Sequence, residues 1–163
     1  MRQLICPNCS REYVMRVPRQ GFYERLLSIF YVYPFRCQLC SHRFRFFQWG
    51  VRYLRVKEDR REYQRLPINF PVSFAAEDIE GAGAVSEVSM KGCTFQANAQ
   101  PSVGSIVRMS LQISNENHPV DVEAALVRSV RQDHVGVEFL RFQRAERERL
   151  QTFIRGLLRG HRT

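Results

Sequence analysis

From Leu66 onward, apolar and polar residues alternate in short runs broken by turn residues, the pattern of half-buried strands in an antiparallel sheet or barrel. The runs predict strands at 68–76 (INFPVSFAA), 83–89 (GAVSEVS), 92–98 (GCTFQAN), 105–113 (SIVRMSLQI), 119–130 (PVDVEAALVRSV) and 133–140 (DHVGVEFL). Six strands of this length suffice to close a small barrel. EGAG, QPSVG, SNENHP and RQD between them carry the Gly, Pro, Asn and Asp that tight turns need. The last segment, FQRAERERLQTFIRGLLRG, places Phe142, Ala145, Leu150, Phe153, Ile154, Leu157 and Leu158 mostly on one stripe. It predicts an amphipathic C-terminal helix packed on the core, with acidic residues early and Arg155 and Arg159 late, as the helix dipole prefers.

Ahead of Leu66 the pattern differs. In QGFYERLLSIFYVYP, Phe22, Leu26, Ile29 and Phe30 recur at helical spacing, which predicts a helix closed by Pro34. HRFRFFQW (His42 to Trp49) reads as a following strand. Around these lie CPNC (Cys6, Cys9) and CQLC (Cys37, Cys40), separated by 27 residues. Two C-x-x-C knuckles offer four thiolates tetrahedrally to one zinc ion, and the gap is long enough to hold the inserted helix. Redox dithiols or two disulfides are the alternatives. Four cysteine ligands leave no coordination position for water, so the zinc expected here is structural. In shape the segment resembles a zinc ribbon. His42 reads as a surface residue and Cys93 as a small core residue.

Charge sharpens the picture. The chain of 163 residues has a formal net charge of +9. Residues 1–66 carry 14 Lys+Arg against 5 Asp+Glu, and residues 67–163 carry 11 against 11. An anionic partner is therefore expected at the front. All basic residues but Lys57 and Lys91 are arginine, whose planar fork suits phosphates and guanine edges. The N-terminus lacks a signal-peptide pattern, and the longest apolar run, Leu26 to Phe35, is far short of the roughly 20 residues of a membrane span. A cytoplasmic location without a membrane span is expected. No nucleophile elbow, P-loop or open metal constellation occurs, and the histidines (His42, His118, His134, His161) are scattered, so no enzyme is expected.

Two stretches remain: RREYQRLP (Arg60 to Pro67) and SEVSMKG (Ser86 to Gly92). Arg61 and Arg65 are four apart and share one side of the chain whether it is helical or extended, and Arg60 adds a third guanidinium. Leu66 precedes a proline, which places Arg65 at the start of the first barrel strand. Glu87 can accept hydrogen bonds, the Ser89 hydroxyl can do either, and Gly92 permits a sharp turn or a close approach.

In order, spacing and barrel context, the stretch from about Arg60 to Arg159 resembles a PilZ domain, the family of bacterial cyclic di-GMP receptors. That family pairs R-x-x-x-R before the first strand with [D/N]-x-S-x-x-G on the barrel. The VGVEFL strand followed by the ERERLQTFI helix is also typical of it. The resemblance implies that Arg61 and Arg65 clamp the guanines and phosphates of the ligand, with Arg60 beside them, and that Ser89 and Gly92 line the opposite wall. Glu87 departs from the pattern, one methylene longer than the family's Asp.

The expected architecture is mainly β: a four-Cys zinc ribbon with an inserted helix (1–49), a linker carrying the arginine motif (50–65), and a six-stranded antiparallel PilZ barrel with its helix (66–163). The expected function is a non-enzymatic cyclic di-GMP receptor whose ligand orders the linker. The alternatives are a degenerate PilZ scaffold, or an adaptor binding protein or nucleic acid through the ribbon. For nucleic acid, Tyr13, Phe44, Phe46, Phe47 and Trp49 would stack bases; the same aromatics also suit the core of a very small domain.

Overall fold

The computed structural model describes residues 4–50, 63–77, 79–113 and 118–160. Arg60, Arg61 and most of the 50–65 segment lie outside them. The chain divides into two compact units, Met1–Gln64 and Arg65–Thr163.

The first unit is a three-stranded antiparallel sheet of β1 (Val14–Arg16), β2 (Val32–Cys37) and β3 (Arg43–Phe47), in that order, with helix α1 (Gly21–Ile29) between β1 and β2. Val17, Tyr33, Phe35 and Leu39 form its small core. The helix ends earlier than Pro34 implied. Phe30 leaves the helical region, and Tyr31 at φ 59° turns the chain into β2. Pro34 lies inside that strand, paired with Arg45. It is tolerated because the β1–β2 ladder ends there, with the Val17 N–H donating to the Pro34 carbonyl (3.1 Å). The aromatics expected either in the core or on a stacking face divide. Phe44 and Phe46 are half-buried beside Phe35, while Phe47 and Trp49 are exposed. Tyr63 and Gln64 close the unit: the Gln64 N–H donates to Gln38 Oε1 (2.7 Å), and Arg36 Nη1 to the Tyr63 hydroxyl (3.1 Å).

The second unit is a closed antiparallel barrel in the order β4-β5-β6-β9-β8-β7. Its strands are β4 (Leu66–Ala75), β5 (Glu80–Ser89), β6 (Gly92–Ala97), β7 (Ile106–Leu111), β8 (Val120–Arg131) and β9 (His134–Phe142), followed by helix α2 (Arg144–Gly160). The period-two pattern works as the sequence predicts. Val72 and Phe74, Val85, Cys93 and Phe95, Val107 and Met109, Val122, and Val135 and Val137 point inward. The Phe74 and Phe95 rings meet at 5.2 Å. Closure leaves this sheet no free edge strand. α2 buries Leu150, Ile154 and Leu158 and sets Phe153 edge-on to Phe70 at 5.8 Å. Arg149 ties it to β8 by donating to the carbonyls of Pro119 (3.0 Å) and His118. No helix among the described residues is long and apolar enough to cross a membrane.

Candidate functional site

The four cysteines of the first unit converge. The Cys6, Cys9, Cys37 and Cys40 sulfurs all lie within 4.8 Å of one another, with Cys6–Cys40 at 3.5 Å and Cys9–Cys37 at 3.6 Å. A tetrahedron of thiolates about 2.3 Å from zinc has edges of about 3.8 Å, so the donor set fits such an ion.

Both knuckles have the same local construction. The N–H of Ser10 donates to the Cys6 carbonyl (2.9 Å) and that of Ser41 to the Cys37 carbonyl (3.1 Å), each serine turning through positive φ. The Cys6 and Cys37 N–H groups close the loops on Arg11 and His42 carbonyls, both at 2.9 Å. Each turn thereby aims backbone amides at its sulfurs. Burial pushes the Cys9 thiol up, with the neighbouring thiols adding to it against the Arg11 amide. Burial likewise pushes Cys37 up, although the Cys40 and Leu39 amides oppose it. At Cys40 burial is outweighed by Asn8, the His42 amide and the Cys6 and Cys37 thiols, which bring it down to about 7. Crowded thiols with amides directed at them become a set of thiolates once a cation shares the cluster. His42 stays exposed, stacked on Phe44 at 6.2 Å.

On the barrel, β4, β5 and β6 place Pro67, Glu87 and Thr94 side by side, and β9 adds Gly136. Bulges at Pro67/Phe70 and Val85/Glu87 locally re-aim β4 and β5. Arg65, immediately before β4, lays its guanidinium across this row. Nη1 donates to Thr94 Oγ1 (2.9 Å) and meets Glu87 Oε2 at 3.3 Å, both Arg65 and Glu87 remaining more than a third exposed. Beyond Thr94 the row continues to Gly136, where the Ser129 hydroxyl of β8 occupies the space a Cβ would need, 2.6 Å from it.

Ser89 and Gly92 sit one step along, in the β5–β6 turn. The Ser89 hydroxyl is buried, donating to the Gly92 carbonyl (3.2 Å) and accepting from the Lys91 N–H (3.3 Å). A Cβ on Gly92 would fall 2.1 Å from the Val137 carbonyl oxygen, so glycine is required there for β6 to pair with β9. Arg65 and Glu87 are thus brought together on the outer face, and Ser89 and Gly92 shape the turn behind them. Thr94 was missed by sequence reasoning. Its signal was the alternation on β6, which puts Thr94 two residues past Gly92 and opposite Glu87. Cys93 points inward, and burial pushes its thiol up to about 12 despite the nearby Arg65 charge.

A family model described as the PilZ domain matches residues 59–156. Among solved structures, the chain is similar to the Bacillus subtilis inhibitor of motility (MotI/DgrA) at 17% identity and a TM-score of 0.51, over 78% of this chain and 74% of that one. It is also similar to the PilZ domain of CeSA from a cellulose-synthesizing bacterium (17% identity, TM-score 0.45, 58% of this chain and 95% of that one). An uncharacterized Legionella protein matches at 12% identity, with a TM-score of 0.40, over 62% of this chain and all of that one. No curated protein matches the chain.

Proposed function

Because this chain belongs to the PilZ family, we propose that it is a cytoplasmic, non-enzymatic receptor for cyclic di-GMP. The observation that carries the reading is Arg65: its fork lies on the outer barrel face over Glu87 and Thr94, within reach of solvent. Cyclic di-GMP presents two phosphodiester charges and two guanine edges. Arg61 and Arg65 would take phosphate oxygens or the O6/N7 edge bidentately, with Arg60 adding a third fork. Glu87 would accept from guanine N1 and N2 hydrogens. Ser89 and Gly92 act by positioning, since they hold the β5–β6 turn in shape. Releasing Arg65 from Glu87 costs little, because an exposed ion pair contributes about 1 kcal/mol or less.

The test is calorimetric titration of cyclic di-GMP into the zinc-loaded chain, beside Arg65→Ala and Arg61→Ala variants. Saturable binding that both substitutions abolish supports the reading. Absence of binding by the parent chain overturns it in favour of a scaffold that docks another protein. That second reading is supported by the Glu87 carboxylate, which already engages Arg65 from the position where the family carries Asp or Asn.

In the first unit Cys6, Cys9, Cys37 and Cys40 would hold one structural zinc ion, which supplies folding free energy and no catalytic chemistry. One zinc per chain by metal analysis, lost in Cys37→Ser, is the expected result.

A further inference from the structure

Helix α1 sits on its sheet by the side that would ordinarily face water. Glu24 is buried, accepting from the Gln20 N–H (2.6 Å) and from Arg43 Nη2 (2.8 Å), with Arg45 Nη2 at 3.6 Å. Next to it on the same side, the Ser28 hydroxyl accepts from Arg19 Nη1 (2.9 Å). These polar contacts hold the helix, and its apolar stripe is left outward. Phe22 is 81% exposed, and Leu26, Ile29 and Phe30 are exposed beside it. Tyr23, also exposed, lies under the Arg45 guanidinium at 5.6 Å. At the end of β3 the patch continues into Phe47 and Trp49, whose rings lie 6.1 Å apart, Trp49 being 77% exposed and its ring 5.0 Å from that of Tyr31, just past the end of α1.

The charge of this unit is predominantly positive. Residues 4–50 contain seven arginines and two carboxylates, Glu12 and the buried Glu24. Even a four-thiolate zinc centre, with two net negative charges, leaves the unit positive. A rigid helix with Phe, Leu and Ile outward, aromatic rings at its end and arginines around it matches an element that lies in a bilayer interface. Tyr and Trp are the residues that occupy the headgroup level.

We propose that this face of the first unit docks onto an anionic lipid surface, with α1 lying in the headgroup plane. Charge complementarity selects anionic lipid, because a surface that among the described residues is basic, with Glu12 its one exposed carboxylate, is attracted to a continuous negative sheet by about 1 kcal/mol per arginine near it. The aliphatic side chains at the centre of the patch favour acyl chains over bases: Leu26 and Ile29 have no π-face on which a base could stack.

The chain has a single tryptophan, so Trp49 emission reports the patch directly. The zinc-loaded chain is mixed with phosphatidylcholine vesicles with and without phosphatidylglycerol. The expected result is a blue shift and co-sedimentation with the anionic vesicles, both reduced by rising salt. Leu26→Ser/Ile29→Ser should weaken partitioning about tenfold or more, while keeping zinc stoichiometry and far-UV dichroism. Arg25→Glu, on the exposed flank of α1, should weaken it while leaving the apolar stripe intact. No shift and no co-sedimentation of the parent protein would overturn the proposal, as would equal partitioning of parent and variants. Lipid-independent self-association abolished by the same substitutions would assign the face to a second copy instead. Oligonucleotide binding without vesicle binding would assign it to nucleic acid.

Discussion

Gly92 belongs to the motif that resembles a ligand-binding signature, yet its surroundings give it a different duty. A Cβ there would lie 2.1 Å from the Val137 carbonyl oxygen, more than an ångström inside the 3.4 Å at which ordinary contact begins. The oxygen belongs to β9, so no rotamer change relieves the clash. The Gly92–Glu138 rung must open instead. Overpacking costs about 1–3 kcal/mol and each disrupted ladder hydrogen bond about 1 kcal/mol, so Gly92→Ala should destabilise the barrel by about 3 kcal/mol. At about 4–8 °C per kcal/mol for a unit of this size, the barrel transition should fall by about 12–24 °C. Thermal unfolding followed by far-UV dichroism measures this, with Gly156→Ala as the opposite control. Nothing lies within 4 Å of a Cβ at Gly156, on the exposed side of α2. Alanine there should stabilise by roughly 0.5–1 kcal/mol. If Gly92→Ala lowered the transition by less than about 4 °C, the close β6–β9 approach would not be what requires glycine. With a loss of about 3 kcal/mol, weakened nucleotide binding in that variant would report the barrel and not a missing contact.

The remaining predictions concern charge and burial. Glu87→Asp should leave stability within about 0.5 kcal/mol, because the ion pair it loosens is exposed, and should raise cyclic di-GMP affinity several-fold, because the shorter side chain keeps a carboxylate for the guanine hydrogens while withdrawing it from Arg65; equal or weaker binding in calorimetry refutes this. Cys93 stays protonated in the folded barrel to about pH 12, whereas the unfolded thiol ionises near 9. Below pH 9 both states are neutral at this site. Above it the unfolded state loses its proton first, so stability should fall by about 1.4 kcal/mol per pH unit between pH 9 and 12. Comparison of denaturant midpoints with Cys93→Ala isolates that slope. Burial raises the Glu24 carboxyl, but the Gln20 N–H and the hydrogen bond and charge of Arg43, with Arg45, outweigh it and hold its pKa below the usual range. Its contribution is present above about pH 4.5 and lost as pH falls through the lowered folded value. Glu24→Gln leaves Arg43 partly uncompensated and should cost about 3 kcal/mol, seen as faster amide exchange across 21–29.

Most of the barrel was legible from the order of residues alone. The six predicted strands and the final helix correspond to β4–β9 and α2, shifted by a few residues at their ends, because alternation with period two is what a closed sheet with one wet face imposes on each strand locally. The cysteine spacing likewise specified four thiols for one cluster, since each knuckle is a local turn. What the residue order left undecided depended on which partner a face meets. Helical periodicity marks Phe22, Leu26, Ile29 and Phe30 as one stripe, but only the packing shows that Glu24 is the residue turned inward, because buried charge is tolerated only where Arg43 and Arg45 arrive from a distant strand. Pro34 reads as a helix stop in sequence, and only the end of the β1–β2 ladder makes room for it inside a strand. Motif order singled out Ser89 and Gly92 as a pair. Strand register separated them from the surface and put Thr94, distant in sequence from Arg65, beneath its guanidinium, because side chains across a sheet become neighbours through hydrogen-bonded pairing and not through spacing along the chain.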